Sequence, residues 1–377
     1  MVEKCEIAVP EEALDDLQTR LNRTRWPDEI EDAGWEYGVN RSYLQELIDY
    51  WRGEFDWDEQ EEWMNEFDQY RTSLDGFGIH FVHERGEGDE SIPLLLLHGW
   101  PSSFVQMLDI VPMLTRPSNY DIDASISFDV VVPSLPGYGF SDRPTRRGMS
   151  VPHIANLFQK LMTEELGYDR YAGRGSDIGA GVLVQLGLNY PDSLIGAHFS
   201  GTNPRVDEGQ IPDDPTDAEV EFLENAERWM REEAAYAMEQ STKPQTLAYG
   251  LNDSPVGLAA WIVEKFRTWS DNDGDVEDSF TKDELLTNLT IYWTTETIAS
   301  SVRLYYESAH DPGEWGRLDV PTAMLMAPAD MFPTPREWAE RTYRIDRWRE
   351  ASRGGHFLEW EEPKLVADDL NSFFGSL

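Results

Sequence analysis

The sequence predicts an α/β fold with a mostly parallel central sheet, a helical cap and an N-terminal helical meander. Two short apolar runs, Ile92–Leu97 and Phe128–Val132, have the length of buried strands, and a helical pattern at Val105–Leu114 separates them. Residues 206–306 are helical in pattern and acidic, and they interrupt this alternation, which resumes at Ala323–Pro328. An insertion of this kind is expected to cover the carboxyl ends of the strands, where open α/β sheets bind ligands.

The remaining elements complete this organisation. Residues 1–75 are rich in acids and tryptophans, with breaks at Pro27 and Gly38, and predict the meander. We predict a core in two parts, 76–205 and 307–377, on either side of the cap. Further predicted elements are strands at Phe77–Glu84, Arg170–Gly173, Leu194–Phe199 and Arg347–Ser352, and helices at Val151–Glu165, Ile178–Tyr190 and Pro363–Phe374.

The charge balance limits the partners. The 377 residues include 72 acids and 31 bases, a net charge of −41 spread through the chain, which repels nucleic acid and anionic membranes. Such composition is typical of proteins from salt-loving organisms, which work in molar salt where the Debye length is only ~3 Å. Cys5 is the only cysteine, and Met1–Pro10 has neither a basic start nor a long apolar stretch. We therefore expect a cytoplasmic protein without a disulfide or a membrane anchor.

A glycine-rich segment between a predicted strand and a predicted helix has the pattern of a nucleophile elbow. This strained turn requires small residues two positions before and two after the nucleophile. Around Asp177 these positions are Gly175 and Gly179, whereas around Ser176 they are an arginine and an isoleucine. The pattern thus predicts a carboxylate nucleophile, Asp177. The alternative is a glycine-rich turn whose aspartate caps the following helix.

Other segments supply candidate partners for the nucleophile. The loop His98–Pro101 follows a buried strand, and its Trp100 N–H, with the N–H of Ile178, could form an oxyanion hole. His356 lies on a loop between the last strand and the final helix, and Asp330 follows an earlier strand. In the α/β-hydrolase order of nucleophile, acid and histidine, Asp330 is the acid and His356 the base. Each could instead be a surface residue, and only this order favours catalysis.

With these segments identified, the chain resembles the microsomal-type and juvenile-hormone-type epoxide hydrolases over nearly its whole length. Several long motifs in the right order are a stronger signal than one pentapeptide. The resemblance implies an α/β-hydrolase fold with a helical cap. The motifs that carry it are Thr24–Pro27, His98–Ser103, Pro136–Ser141, Leu251–Leu258, Ile291–Thr295 and Arg353–Phe357.

The resemblance also implies roles for two cap tyrosines, which in this family donate protons to the epoxide oxygen. They correspond to Tyr236 and Tyr305, with Tyr306 a close competitor for the second role. Asp330 falls where the family has its charge-relay acid, which is often glutamate. Many relatives have tryptophan directly after the nucleophile, so Ile178 predicts a pocket of different shape and a different substrate preference.

Together these observations predict an epoxide hydrolase, with a detoxification role, that forms vicinal diols. An ester on Asp177 would be hydrolysed by water activated by His356 and Asp330. We expect a small apolar epoxide and water as partners, no metal or organic cofactor, and neither nucleic acid nor membrane. The sequence leaves the substrate, its regiochemistry and the oligomeric state open, a homo-oligomer included. The alternatives are a haloalkane dehalogenase, which usually has a tryptophan beside the nucleophile, and a non-catalytic binding protein.

Overall fold

The computed structural model describes residues 1–88, 91–122, 126–201, 213–314, 316–331 and 333–377. Within these ranges nine strands form one sheet, in the spatial order β1-β2-β3-β5-β4-β6-β7-β8-β9. In chain order they are β1 (Glu3–Lys4), β2 (Gln69–Leu74), β3 (Phe77–Glu84), β4 (Ile92–Leu97), β5 (Phe128–Pro133), β6 (Tyr171–Gly175), β7 (Leu194–Phe199), β8 (Leu318–Met326) and β9 (Tyr343–Glu350).

The sheet is mostly parallel, as predicted. The pairs β1–β2, β2–β3 and β3–β5 are antiparallel, and the neighbours from β5 to β9 are parallel. In the parallel part, Leu94 of β4 pairs with Val130 of β5 on one side and Ala172 of β6 on the other. All three are fully buried, because helices cover both faces of a parallel sheet. The carboxyl ends of β4, β6 and β8 therefore meet at one edge.

Helices surround this sheet and form the cap. Local sequence defines several starts: α10 has Ser254 as its N-cap with Pro255 in its first turn, and Thr281 with Glu284 forms a capping box on α11. In the described part of the chain, no helix has both the length and the apolar character needed to cross a bilayer. The helices are α1 (Glu11–Leu21), α2 (Arg41–Gly53), α3 (Trp57–Asn65), α4 (Val111–Thr115), α5 (Val151–Lys160), α6 (Asp177–Asn189), α7 (Asp217–Glu232), α8 (Ala235–Thr242), α9 (Pro244–Leu251), α10 (Pro255–Trp269), α11 (Lys282–Thr294), α12 (Ile298–His310), α13 (Arg336–Ala339), α14 (Leu358–Glu361) and α15 (Pro363–Phe374).

The structure differs from the sequence prediction at several elements. The segment predicted as a meander also contributes β1 and β2 to the sheet, and β2 was missed because its mixed polar residues lie near the sheet edge. The helix predicted at Val105–Leu114 is a 3₁₀ turn at Phe104–Ile110 followed by the short α4, whose first turn contains a proline. Strand β8 begins before the predicted Ala323 and ends at Met326.

The predicted domain boundaries remain predictions. The cap start at 206 lies outside the described residues, and the predicted boundary between 306 and 307 falls inside α12. The meander packs on the cap, since α1 and α2 both contact α10 and α11. Trp51 of α2 is fully buried there, and its indole N–H donates to Thr290 Oγ1 at 3.0 Å. The meander thus packs directly against two helices of the cap.

Candidate active site

Asp177 lies at a strained turn between β6 and α6. Its φ is +49°, a left-handed conformation that is costly for a residue with a Cβ. The backbone around it is crowded, because a Cβ added at Gly179 would lie 2.2 Å from the carbonyl oxygen of Leu97. A Cβ added at Gly175 would lie 2.5 Å from the carbonyl oxygen of Gly179. These glycines permit the close packing that pushes the Asp177 side chain out of the turn.

The two predicted oxyanion donors both contact this carboxylate. The Trp100 N–H donates to Asp177 Oδ1 at 2.8 Å, and the Ile178 N–H also hydrogen-bonds to the carboxylate. The loop after β4 approaches so closely that a Cβ added at Gly99 would lie 2.3 Å from Asp177 Oδ1. The loop after β4 and the first turn of α6 therefore each supply one backbone donor to the carboxylate.

The structure brings the predicted acid and histidine to the same place. His356 Nδ1 lies 2.9 Å from Asp330 Oδ1, and His356 Nε2 lies 3.7 Å from Asp177 Oδ2. The first distance is a hydrogen bond and the second is within ion-pair range. Since the His356 side chain is only 8% exposed and that of Asp177 17%, these charges interact with little screening by water.

Two tyrosines from the cap complete the cluster. Tyr236 of α8 and Tyr305 of α12 hydrogen-bond to each other through their side chains. The Trp100 ring stacks on Tyr236 with centroids 5.2 Å apart and meets Tyr305 edge-on at 5.9 Å. Tyr306 instead stacks on His310, 4.0 Å away on the same helix. The structure therefore brings Tyr305, and not Tyr306, next to Tyr236.

Comparison with known proteins identifies the family. Residues 2–107 match the model described as epoxide hydrolase N terminus, and residues 92–275 match that of the alpha/beta hydrolase fold. The chain is 34% identical to epoxide hydrolase 1 of Sus scrofa, in an alignment that covers 98% of this chain and 88% of that protein. The chain belongs to the epoxide hydrolase family. The family and the fold predicted from the sequence of this epoxide hydrolase are thereby confirmed.

Solved structures agree with this assignment. The juvenile hormone epoxide hydrolase of Bombyx mori matches this epoxide hydrolase with a TM-score of 0.87 and 32% identity, covering all of this chain and 94% of that one. The epoxide hydrolase of Aspergillus niger matches with a TM-score of 0.88 and 29% identity, covering all of this chain and 96% of that one. The similarity therefore includes the meander and the cap as well as the sheet.

The electrostatics of the site centre on a coupled pair of charges. Burial by itself lowers the pKa of His356, but the charge and hydrogen bond of Asp330 and the charge of Asp177 outweigh it and raise this pKa to about 9. Burial raises the pKa of Asp177, while the charge of His356 and the two backbone N–H groups oppose that rise. The raised pKa of His356 thus favours an imidazolium beside Asp177 near neutral pH.

Burial also controls the protonation of the tyrosines. It raises the pKa of Tyr236 and of Tyr305 well above the ordinary value, and the negative charge of Asp177 acts in the same direction. Both effects favour the protonated hydroxyl over the phenolate.

Sequence analysis missed the group that holds the histidine loop. The Glu361 carboxylate accepts the backbone N–H of Gly355 at 2.9 Å and that of Phe357 at 3.0 Å, on either side of His356. The His356 N–H itself donates to the carbonyl oxygen of Trp269, at the end of α10, at 2.7 Å. Nothing in the sequence separates Glu361 from the other acids, because its partners are backbone groups.

A buried ion pair below the site was also missed. Arg174 in β6 and Glu359 in α14 are fully buried, and Arg174 Nη2 lies 2.8 Å from Glu359 Oε1. Gln106 Nε2 donates to the other carboxylate oxygen at 2.9 Å, so this oxygen is paired as well. An arginine inside a glycine-rich buried strand was a signal for such a pair. The partner could be found only in three dimensions.

Proposed function

We propose that this epoxide hydrolase opens small apolar epoxides to vicinal diols through a covalent ester on Asp177. One observation carries the proposal: the Asp177 carboxylate has an imidazolium on one side and is within electrostatic reach of the hydrogen-bonded Tyr236 and Tyr305 hydroxyls. Nucleophile, base and proton donors therefore surround one position.

In the first step the two carboxylate oxygens of Asp177 have different tasks. Oδ1 accepts the Trp100 N–H at 2.8 Å, so Oδ2 is the oxygen that attacks a ring carbon. The carbon–oxygen bond of the ring breaks, and the departing oxygen takes a proton from the tyrosine pair. A carboxylate attacks without first losing a proton, so His356 is not needed as a base in this step.

Formation of the ester then changes the charge of the site. The negative charge of Asp177 is one cause of the raised pKa of His356, and the ester removes that charge. The imidazolium returns a proton to the tyrosinate left by the first step and becomes neutral. The site now contains an ester, a neutral histidine held by Asp330 and protonated tyrosines.

In the second step His356 takes a proton from water, and the hydroxide attacks Cγ of Asp177. Oδ1 carries the negative charge of the tetrahedral intermediate, and the N–H groups of Trp100 and Ile178 donate hydrogen bonds to it. Each such donor stabilises the oxyanion by ~3 kcal/mol. The bond between Cγ and Oδ2 then breaks, the new hydroxyl on Cγ gives its proton to the departing oxygen, and the diol leaves with Oδ2. The cycle ends with the carboxylate, the imidazolium and both tyrosine protons restored, so epoxide and water balance the diol.

A second candidate is haloalkane dehalogenation, and one observation favours it. The indole N–H groups of Trp100 and Trp269 are buried and have no hydrogen-bond partner within the described ranges. Indole N–H groups can hold a departing halide, which the residue after Asp177 cannot do. The tyrosine pair favours the epoxide, because an alkoxide needs a proton on leaving and a halide does not.

The test is turnover by the purified protein in molar KCl. Styrene-type and aliphatic epoxides are offered beside haloalkanes, and we expect diol without halide release. Folded protein that forms no diol from any epoxide contradicts the proposal, and halide release supports the second candidate.

Two variants test the covalent step. Asp177→Asn should abolish turnover, with the exposed Asp169→Asn as a matched control. His356→Gln should accumulate the ester, visible as a mass increase equal to the substrate. Turnover by His356→Gln at the parent rate would exclude the role given to this histidine.

A further inference from the structure

A cavity separate from the catalytic cluster lies between the meander and the cap. Its volume is about 670 Å³, and it opens at the N-terminal end of α10. Four arginines line it: Arg20, Arg23, Arg25 and Arg41. The chain as a whole has 72 acids and 31 bases, so a cluster in which arginines outnumber acids is contrary to its general composition.

Most of this positive charge is not neutralised by the protein. Arg20 pairs with Asp16 at 2.7 Å and Asp253 at 2.6 Å, the two acids that line the cavity. Arg23, Arg25 and Arg41 form no ion pair with any residue in the described part of the chain. Three guanidinium groups at one cavity therefore have no carboxylate within ion-pair distance among the described residues, although the Glu29 carboxylate accepts the backbone N–H of Arg41 at 2.9 Å.

Arg41 adds an unsatisfied donor. Its Nε is buried, and none of the described residues accepts a hydrogen bond from it. A buried N–H without an acceptor is unfavourable, so it indicates a position that a ligand or water occupies. Arg41 also begins α2, which fixes its backbone beside the cavity.

The other walls of the cavity are mostly apolar. They include Trp26, Val39, Leu44 and Val256, which offer no charged group to a ligand. The first turn of the 15-residue α10 is part of the lining, and the positive end of its dipole adds to the field of the arginines. The cavity thus combines a cationic rim with a hydrocarbon surface.

We propose that this cavity binds an amphiphilic oxyanion, a carboxylate or phosphate group carried on a hydrocarbon body. The guanidinium groups of Arg23, Arg25 and Arg41 bind the oxyanion, whose geometry matches their paired N–H donors. The hydrocarbon lies against Trp26 and Val256. This site is independent of the reaction at Asp177, because the two sets of lining residues have no member in common.

The probes are octanoate and octyl phosphate, with octanol as the uncharged control, measured by calorimetry on the full chain at constant ionic strength. We expect saturable binding of at least one anionic probe at a single site and no binding of octanol there. Arg23→Gln with Arg41→Gln should weaken this binding about 10-fold or more per arginine, the loss expected for hydrogen bonds to a charged group. Arg170→Gln, at an exposed arginine outside the cavity, removes one positive charge, as each of these replacements does, and should leave binding unchanged.

A second double variant makes the test independent of any effect on folding. Arg23 and Arg25 are both exposed, so their joint replacement by glutamine should leave the circular dichroism spectrum unchanged and still weaken the anionic probe. Octanol that binds as well as octanoate overturns the proposal. Equal binding of the anionic probe to these variants and to the parent protein also overturns the proposal. That result is expected if the probe occupies only the catalytic site.

Discussion

At the residue scale, the carboxylate of Asp177 is held by a backbone that leaves it almost no freedom. Its Oδ1 accepts the Trp100 N–H, and its Oδ2 faces His356 Nε2 at 3.7 Å. The absence of a side chain at Gly99 allows this arrangement, since a Cβ there would lie 2.4 Å from the Asp177 Cβ. The contact is close enough that one methyl group would displace the Asp177 side chain.

Gly99→Ala tests this contact. The added methyl group must move either the loop or Asp177, and a displacement near 1 Å at a reacting group costs about 10²-fold in rate. We expect kcat to fall by about that factor while the protein remains folded. Gly53→Ala is the matched control, because no atom lies within 4 Å of a Cβ at that position. Equal activity of the two variants would contradict the described geometry.

The pKa of His356 gives a second residue-scale prediction. Asp177→Asn removes one of the negative charges that raise this pKa to about 9, so the imidazole should titrate at a lower pH in the variant. NMR titration of the ring measures the change directly. The same comparison tests whether ester formation frees the base, because asparagine and the ester are both uncharged. An unchanged pKa in the variant would show that Asp330 and Glu359 set it without Asp177.

The same raised pKa affects stability. His356 binds its proton more tightly in the folded protein than its ordinary value of 6.5 allows in the unfolded chain. Its contribution to the free energy of unfolding is therefore fully present below about pH 6.5 and is lost as the pH rises through about 9. Thermal melts between these pH values should show a falling Tm in the parent protein and a smaller decrease in His356→Gln.

At the element scale, the loop of His356 is held by the segment at the end of α10 and by Glu361, the last residue of α14. The His356 N–H bonds to the carbonyl of Trp269, and the Gly354 N–H donates to Asp271 Oδ2 at 2.7 Å. Glu361 accepts the N–H groups on both sides of His356 and also that of Asp271, at 2.8 Å. The cap thus takes part in orienting His356.

Glu361→Gln should affect one step of the reaction more than the other. An amide has only one acceptor oxygen, so at least one N–H beside His356 loses its partner and the imidazole shifts. We expect ester hydrolysis to slow by about 10²-fold while ester formation, which does not need the base, changes little. The ester should then accumulate in the variant. The exposed Glu350→Gln is the control.

The pH dependence separates this positioning role from a general loss of structure. Burial raises the pKa of Glu361 to about 7. The fraction of Glu361 that is ionised, with both oxygens able to accept hydrogen bonds, therefore increases as the pH rises through that value. The difference between parent and variant in ester hydrolysis should therefore be larger at pH 8 than at pH 6. A difference that does not depend on pH would mean that Glu361 acts only through the fold.

At the scale of the whole molecule, the net charge of −41 dominates the behaviour expected in solution. Ion pairs such as Lys160 with Asp75 and Lys282 with Glu46 use the few lysines, and most acids in the described ranges have no basic partner. The acids are closer together in the compact native state than in the unfolded chain, so their mutual repulsion destabilises the native state. Salt should relieve it.

We therefore expect Tm to rise steadily as KCl increases from about 0.1 M to molar concentrations, where the Debye length falls from ~10 to ~3 Å. Differential scanning calorimetry measures the trend, and NaCl at the same ionic strength should reproduce it if screening is the cause. A flat or falling Tm would exclude the interpretation that the acidic surface is an adaptation to high salt.

The extent to which sequence predicts the structure varies with the range of the interactions involved. Ile92–Leu97 and Leu194–Phe199 were predicted with the bounds that the structure has, because continuous apolar runs determine buried strands locally. β2 was missed, because its pairing with β3 gives no signal in its own residues. For the same reason the partner of Arg174 could not be named.

By itself, the sequence determined the family, the mostly parallel sheet and a short set of candidate residues, because glycine spacing, chain order and long motifs are properties of a linear chain. The tertiary structure alone decided that Tyr305 and not Tyr306 faces Tyr236, and that Glu361 holds the loop of His356. It also decided that arginines of the meander gather at one cavity with the start of α10. These contacts join residues that are far apart in the sequence. Their burial and their electrostatic interactions exist only once folding has brought them together.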